Sequence, residues 1–135
     1  MRNAFGIVCL LVSGIAATNA LAQQEGIAKP NLLLDQKVHG LPRDAVQSVR
    51  VMTASFRPGD RTVPHTHRFP VTVYVLEGAF TLEMKGHPPV TLRAGEAMVE
   101  PPQVEMTGFN RTDGETKVVI FYVSAPDTPF LDPLH

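Results

Sequence analysis

The sequence predicts an all-β domain of the sandwich, jelly-roll or barrel class, and three observations support this. From residue 45 onward, short runs alternate between apolar and polar residues with the period of two that is typical of strands. Turn-forming residues separate several runs, as in Pro58-Gly59-Asp60 and Gly86-His87-Pro88. No stretch of this region combines helical periodicity with helix caps. Many short strands joined by tight turns are typical of closed or stacked all-β architectures.

The strands are predicted in order along residues 45–123. The first covers residues 49–56, where Val49 and Val51 alternate with Arg50 and Met52. The later strands are predicted over residues 62–67, 71–76, 79–85, 89–93, 97–100, 104–109 and 116–123. The tail, residues 124–135, contains three prolines and is expected to lie extended over the domain.

Residues 1–22 have the features of a secretory signal peptide. Arg2 precedes an apolar run over residues 5–12, and Ala20-Leu21-Ala22 forms a small-residue cleavage site. We therefore expect cleavage after Ala22 and a periplasmic or secreted protein. The apolar run is too short to cross a bilayer, so stable membrane insertion is not expected. Since Cys9 is the only cysteine and lies within this run, the mature chain has no thiol and no disulfide.

Residues 23–44 form an N-terminal segment that mixes Gly, Pro and polar residues. Its one apolar cluster, residues 32–34, is predicted as a short strand. Charge is balanced along the whole chain, with 12 basic and 13 acidic residues and no basic run. Nucleic acid and anionic membranes are therefore not expected as partners.

The sequence feature that most clearly indicates a chemical role is Pro64-His65-Thr66-His67. Two histidines at positions i and i+2 of a strand project from the same face, where both imidazoles can reach one metal ion. We therefore predict His65 and His67 as metal ligands, although such a pair also occurs as ordinary core or surface histidines.

The spacing around this pair resembles the two motifs of the cupin superfamily. Gly59 stands six positions before His65, and Gly78 stands eleven after His67 at the end of Tyr74-Val75-Leu76-Glu77-Gly78. The second motif is matched at Gly95, Pro101 and Asn110. The resemblance covers about residues 45–123 and implies a cupin double-stranded β-helix, a barrel of the jelly-roll type. It also implies a homodimer, with residues 32–34 as the candidate exchanged strand.

Three positions depart from the cupin motifs. Val71 stands where the family has its glutamate, Met106 where it has its second-motif histidine, and Gln103 where it has a glycine. The motifs therefore supply His65 and His67 but no carboxylate. Because a thioether is a soft ligand that selects copper, Met106 makes copper the favoured ion, while manganese, iron, zinc and nickel remain possible. The alternative is that Met106 fills space in the core.

Several other side chains are candidates for the interior. Met98 is a second candidate thioether if it faces inward, Glu100 is a candidate for the barrel mouth, and either Phe121 or Tyr122 is a candidate pocket residue. We expect an otherwise apolar interior, built from Val71, Val73, Val75, Phe80, Leu82 and Met84. The remaining histidines and Glu77 are expected on the surface. Such a pocket suits a metal ion or a small, weakly polar organic molecule.

Three functions remain open from the sequence. The first is metal binding, most readily of copper, in metal handling or sensing. The second is a metal-dependent enzyme of the oxygenase or isomerase type that acts on a small organic molecule. The third is a barrel that binds a ligand without metal at a degenerate site.

Overall fold

Strands form where the sequence alternates between apolar and polar residues. The computed structural model describes residues 26–135, so the predicted signal peptide lies outside the described residues. Within this range there are nine strands: β1 (Ser48–Phe56), β2 (His65–Thr66), β3 (Val71–Glu77), β4 (Ala79–Met84), β5 (Val90–Arg93), β6 (Ala97–Glu100), β7 (Met106–Phe109), β8 (Thr116–Ser124) and β9 (Asp132–Pro133). The eight runs predicted from the sequence each contain a strand. The ninth strand lies in the tail and was not predicted.

The strands form two antiparallel sheets. One has the order β1-β8-β3-β6 and the other has the order β5-β4-β7-β2-β9. The long pairing of β1 with β8 runs from Ser48 opposite Ser124 to Phe56 opposite Thr116. The predicted all-β fold is confirmed, and its jelly-roll arrangement encloses an interior between the two sheets.

The inner faces of the sheets form one apolar core. On β3 the side chains of Val71, Val73 and Val75 are buried, as the alternation predicted. Phe80 and Leu82 on β4 face them from the other sheet and are also buried. The core therefore comes from the residues that the period of two assigns to one face.

The last long strand resolves an alternative that the sequence left open. Tyr122 points into the interior and is fully buried, whereas Phe121 lies on the outer face and is about half exposed. Phe121 shares that outer face with Val49 and Val51 of β1, which are also exposed. The outer face of the β1-β8-β3-β6 sheet is therefore unusually apolar.

Residues 26–30 and residues 31–135 fall in two separate units. Residues 26–30 are exposed and contain no strand. Residues 32–34 contain no strand within the single chain, and Leu32 and Leu33 are exposed. An exchanged strand would pair with a second copy, so that expectation stays a prediction. A strand requires a hydrogen-bonded neighbour, and within the described residues no other strand pairs with this segment. No helix that is long and apolar enough to cross a membrane occurs in residues 26–135.

Several turn positions of the motifs have left-handed backbone conformations, among them Gly78 and Gln103. Gly78 has a φ of 74°, and a Cβ atom there would lie 2.6 Å from the carbonyl oxygen of Glu115. Glycine is therefore required both by conformation and by space. Gln103, which replaces a motif glycine, has a φ of 61° and retains the conformation that the glycine would adopt.

The motif asparagine has a structural role. The Asn110 side chain is buried, and its amide nitrogen donates hydrogen bonds to the carbonyl oxygens of Phe56 (3.0 Å) and Gly114 (2.8 Å). Its amide oxygen accepts hydrogen bonds from the backbone N–H (2.9 Å) and the hydroxyl (2.8 Å) of Thr112. Asn110 therefore ties the end of β1 to the loop before β8.

Candidate metal centre

His65 and His67 meet inside the barrel. Their side chains are buried, with 4% and 1% of the residue surface exposed. The two Nε2 atoms lie 3.1 Å apart, and the ring planes are nearly perpendicular at 77°. The spacing of two residues therefore brings both imidazoles to one point of the interior, as the sequence predicted.

Backbone carbonyls hold both rings by their Nδ1 atoms. Nδ1 of His65 lies 2.7 Å from the carbonyl oxygen of Val63, and Nδ1 of His67 lies 2.7 Å from that of Phe130. Because a carbonyl oxygen only accepts, each Nδ1 must carry the proton in these contacts. In the neutral rings each Nε2 then has a free lone pair, and the two lone pairs are buried beside each other. This arrangement requires a proton or a cation between them.

Burial also keeps His65 neutral. The loss of solvent lowers the pKa of His65, and the neighbouring His67 lowers it further. The hydrogen bond to Val63 and the charge of Glu100 act in the opposite direction without reversing the shift. The Nε2 lone pair of His65 is therefore available at neutral pH, as a metal ligand requires.

A carboxylate lies beside the pair, although the motif position that usually supplies one is Val71. Glu100, the last residue of β6, is buried, and its Oε2 lies 3.2 Å from Nε2 of His67. Glu100 is the direct cross-strand partner of Val71, so both side chains project from the same face of the sheet. The carboxylate of Glu100 therefore projects from β6, the strand next to β3, which carries the motif position of the glutamate.

The sequence contained an indirect signal for Glu100. Met98 is the cross-strand partner of the inward-facing Val73. Glu100 lies two residues further along β6, so its side chain projects from the same face as that of Met98. An inward-facing Met98 therefore implies an inward-facing Glu100. The sequence alone predicts Glu100 only as a candidate for the barrel mouth.

The spacing of the three groups suits metal ligands. At ligand distances of about 2.1 Å, two ligands at right angles are about 3.0 Å apart. The separations of 3.1 Å and 3.2 Å are close to this value. As the side chains stand, however, no group of three or more His, Cys, Asp or Glu side chains in residues 26–135 surrounds a common ion position. Glu100 contacts His67 and would have to turn towards the ion, while the two imidazoles are already in place.

The site opens into a small interior cavity of about 120 Å³. Its polar lining consists of His65, His67, Glu100 and Thr62. The other lining residues are Ala54, Phe56, Val73, Phe80, Leu82, Gly108, Val118, Ile120, Phe130 and Leu131. The expected apolar interior is therefore present, with a carboxylate added to its imidazoles.

Met106 lies close to the site in the sheet but does not line this cavity. It is buried, and it is the cross-strand partner of His65, so its side chain starts from the same face. It lines a separate surface pocket together with Pro64 and Met84. A role for Met106 as a ligand therefore stays a prediction.

Tyr122 packs against the site from β8. Its ring centroid lies 6.1 Å from that of His67, and the guanidinium of Arg50 lies 5.6 Å from the centre of the Tyr122 ring. Burial raises the pKa of its hydroxyl, and a hydrogen bond with the backbone of Phe69 acts in the opposite direction. The predicted surface residues are exposed, namely Glu77, His39, His87 and His135.

Comparison with known proteins identifies a family and a set of similar structures. The family described as "Cupin domain" matches residues 52–122. No curated protein matches the sequence. A cupin-like protein from Thermotoga maritima is 26% identical, with a TM-score of 0.53, over 64% of this chain and 64% of that chain.

Two enzymes are among the similar structures. A DMSP lyase from Ruegeria pomeroyi is 20% identical, with a TM-score of 0.54, over 61% of this chain and 41% of that chain. An oxalate oxidase is 22% identical, with a TM-score of 0.53, over 62% of this chain and 45% of that chain. The chain therefore spans less than half the length of these enzymes, and at this identity the likeness concerns the fold.

Proposed function

Since the chain belongs to the cupin family, we propose that its barrel binds one divalent metal ion through His65, His67 and Glu100. The observation that carries this proposal is the pair of buried Nε2 atoms 3.1 Å apart, each on a ring whose Nδ1 donates to a backbone carbonyl. Two lone pairs at this distance repel each other unless a positive charge lies between them. A metal ion supplies that charge and uses both lone pairs as ligands.

The buried carboxylate supports the same proposal. Removing Glu100 from water costs free energy, and its one ionisable contact within the described residues is His67. A divalent ion beside Glu100 would compensate its charge and leave a site with a net positive charge of one. The ion would then be held by a carboxylate that replaces the motif glutamate from the neighbouring strand.

Two imidazoles and a carboxylate also bear on the identity of the metal. This donor set, with open positions, is typical of non-haem iron(II) sites and also suits manganese, zinc and nickel. It weakens the argument for copper, which depended on Met106. A copper site formed by His65, His67 and Met106 is the second candidate, because Met106 begins on the same face of the sheet as His65.

We propose that the ion bound at His65 and His67 catalyses a reaction of a small organic substrate in the adjacent cavity. The cavity of about 120 Å³ beside the imidazoles accepts only a small molecule, and its apolar walls exclude most water. A bound ion would supply Lewis-acid or redox chemistry there.

The experiment is elemental analysis of the purified mature protein with four variants. The variants are the double His65→Ala/His67→Ala, Glu100→Gln, Met106→Leu and, as a control, the exposed His87→Ala. We expect about one equivalent of manganese, iron, zinc or nickel, lost in the double histidine variant and retained in Met106→Leu and His87→Ala. Glu100→Gln should weaken binding by about 10-fold to 100-fold. Absence of metal from the wild-type protein after reconstitution with each ion would overturn the proposal.

Copper would give a different pattern. If copper is bound, and Met106→Leu releases it while Glu100→Gln does not, the soft-ligand site is the correct one. A protein that binds a small organic molecule equally well with and without His65 and His67 would instead be the metal-free barrel.

We also propose that the protein is exported, on the basis of residues 1–22. Mass spectrometry of the protein from the periplasm or the medium should show a mature chain that begins at Gln23. A chain that retains Met1 in the cytoplasm would contradict export.

A homodimer is proposed on separate grounds. The exposed Leu32 and Leu33 and the apolar outer face around Phe121 would be covered by a second copy. Light scattering of the wild-type protein beside Leu32→Glu/Leu33→Glu tests this. A wild-type protein that is monomeric at high concentration would contradict it.

A further inference from the structure

The C-terminal residues 125–135, here called the strap, close the barrel over the histidine pair. We propose that the strap positions His67 for metal binding and controls access to the cavity, so that an ion or small ligand enters and leaves when the strap lifts. This inference rests on the proposed metal site. The strap lies outside both cupin motifs.

The strap is joined to the short strand that carries the histidines. Its strand β9 pairs with β2, with Pro133 opposite His65 and Asp132 opposite Thr66. The backbone N–H of Leu134 donates to the carbonyl oxygen of Pro64 at 2.9 Å. The strap therefore forms the edge of the β5-β4-β7-β2-β9 sheet at the metal site.

Phe130 connects the strap to His67 in two ways. Its carbonyl oxygen accepts the hydrogen bond from Nδ1 of His67, at 2.7 Å. Its ring centroid lies 4.9 Å from that of His67 and 5.6 Å from that of Tyr122. The hydrogen bond selects the tautomer in which Nε2 is free to bind a metal ion, and the ring contact sets the plane of the imidazole. The strap therefore selects the tautomer of His67 and sets the orientation of its ring.

The strap also forms part of the cavity wall. Phe130 and Leu131 are the strap residues that line the cavity of about 120 Å³. Lifting the strap would remove both side chains from the wall and open the cavity to solvent. The same movement would break the hydrogen bond to His67, so access and ligand geometry change together.

Few attachments hold the strap in place. Arg68 donates two hydrogen bonds to Asp132, from Nε to Oδ2 and from Nη2 to Oδ1, both at 2.8 Å. This pair is exposed to solvent, and β9 has only two residues. At the other end Arg50 donates to the carbonyl oxygen of Thr128, which follows a turn with Asp127 at a φ of 58°. A segment with short pairing and an exposed ion pair opens more readily than the core strands.

The experiment compares Asp132→Asn with Glu83→Gln and with a chain that ends at Ala125. Glu83 pairs with Arg111 on the surface, and within the described residues it makes no hydrogen bond or ion pair to the strap, although it shares a surface pocket with Leu134. The exposure of that pair is similar to that of Arg68 and Asp132. Glu83→Gln is therefore a matched control for the loss of one surface ion pair. The metal probe is zinc(II), and its removal by a chelator is followed over time.

We expect the chelator to remove zinc at least about 10-fold faster from Asp132→Asn than from the wild-type protein, and faster still from the shortened chain. Glu83→Gln should match the wild-type rate. Equal rates in all four proteins would overturn control of access by the strap.

A second measurement does not require metal. The ¹⁵N chemical shifts of the His67 ring near pH 8 report which nitrogen carries the proton in the metal-free protein. The wild-type and Glu83→Gln proteins should show the proton on Nδ1, and the shortened chain should show a mixture of tautomers. An unchanged His67 spectrum in the shortened chain would overturn the positioning role. If the spectrum changes but the wild-type protein binds no metal, the proposed function fails and the positioning of His67 holds.

Discussion

Glu100 on β6 is the direct cross-strand partner of Val71 on β3. Val71 occupies the position where the cupin motif has its glutamate, and the two side chains leave the sheet on the same face about 5 Å apart. A carboxylate at either position can therefore reach the histidine pair. This relationship explains how a chain without the motif glutamate still places a carboxylate 3.2 Å from His67.

An exchange of the two residues should restore metal binding. Glu100→Val alone should lower metal affinity by about 10-fold to 100-fold, because the site loses its charged ligand. Adding Val71→Glu returns a carboxylate from the adjacent strand and should recover most of the affinity. Titration with zinc(II) measures both. A double variant that binds no better than Glu100→Val would show that the strand position of the carboxylate matters.

Gln103 is in a left-handed conformation that glycine adopts without cost. We expect Gln103→Gly to stabilise the protein by about 1 kcal/mol, and Gln103→Ala to give no such gain because alanine keeps the Cβ atom. Urea unfolding of the three proteins measures the difference. The N–H of residue 103 donates to the carbonyl oxygen of His67 at 2.8 Å in either case, so metal affinity should not change. A loss of stability in Gln103→Gly would contradict the assignment of strain.

Asn110 should matter for stability and not for the metal. Asn110→Ala removes a buried amide that makes four hydrogen bonds and leaves the carbonyl oxygens of Phe56 and Gly114 without this donor. We expect a loss of about 3 kcal/mol in the free energy of unfolding. Zinc stoichiometry at low temperature should equal that of the wild-type protein. Loss of the ion from a folded Asn110→Ala protein would show that this motif residue acts on the site.

The strap should respond to acid through Asp132. The hydrogen bonds from Arg68 and its positive charge lower the pKa of Asp132 below its ordinary value of 3.8. A carboxyl group with a lowered pKa in the folded state stabilises that state above its ordinary pKa, and this contribution is lost as the pH falls through the lowered value. The strap should therefore stay closed down to the ordinary pKa of an aspartate and loosen below it.

NMR signals of the Leu131 methyl groups follow this transition. In Asp132→Asn the low-pH change should be absent, and the signals should indicate a larger open population than in the wild-type protein near neutral pH. If Asp132→Asn and the wild-type protein show the same acid transition, another group controls the strap.

The strands and the meeting of the two histidines follow from local patterns in the sequence. The alternation on β3 correctly assigned Val71, Val73 and Val75 to the interior, and the spacing of His65 and His67 correctly brought the two rings together. The sequence did not predict strand β9, whose two residues are too few to show a period.

Local sequence patterns therefore specify which residues of a strand share a face, where turns interrupt the strands, and which two histidines lie together. These follow from the period of two and from turn chemistry, which act within a few residues. The tertiary structure alone decided that Glu100 faces His67 and that the carbonyl of Phe130 holds its ring. Both contacts depend on the register between segments that are 33 and 63 residues apart in the chain, and no local pattern specifies that register.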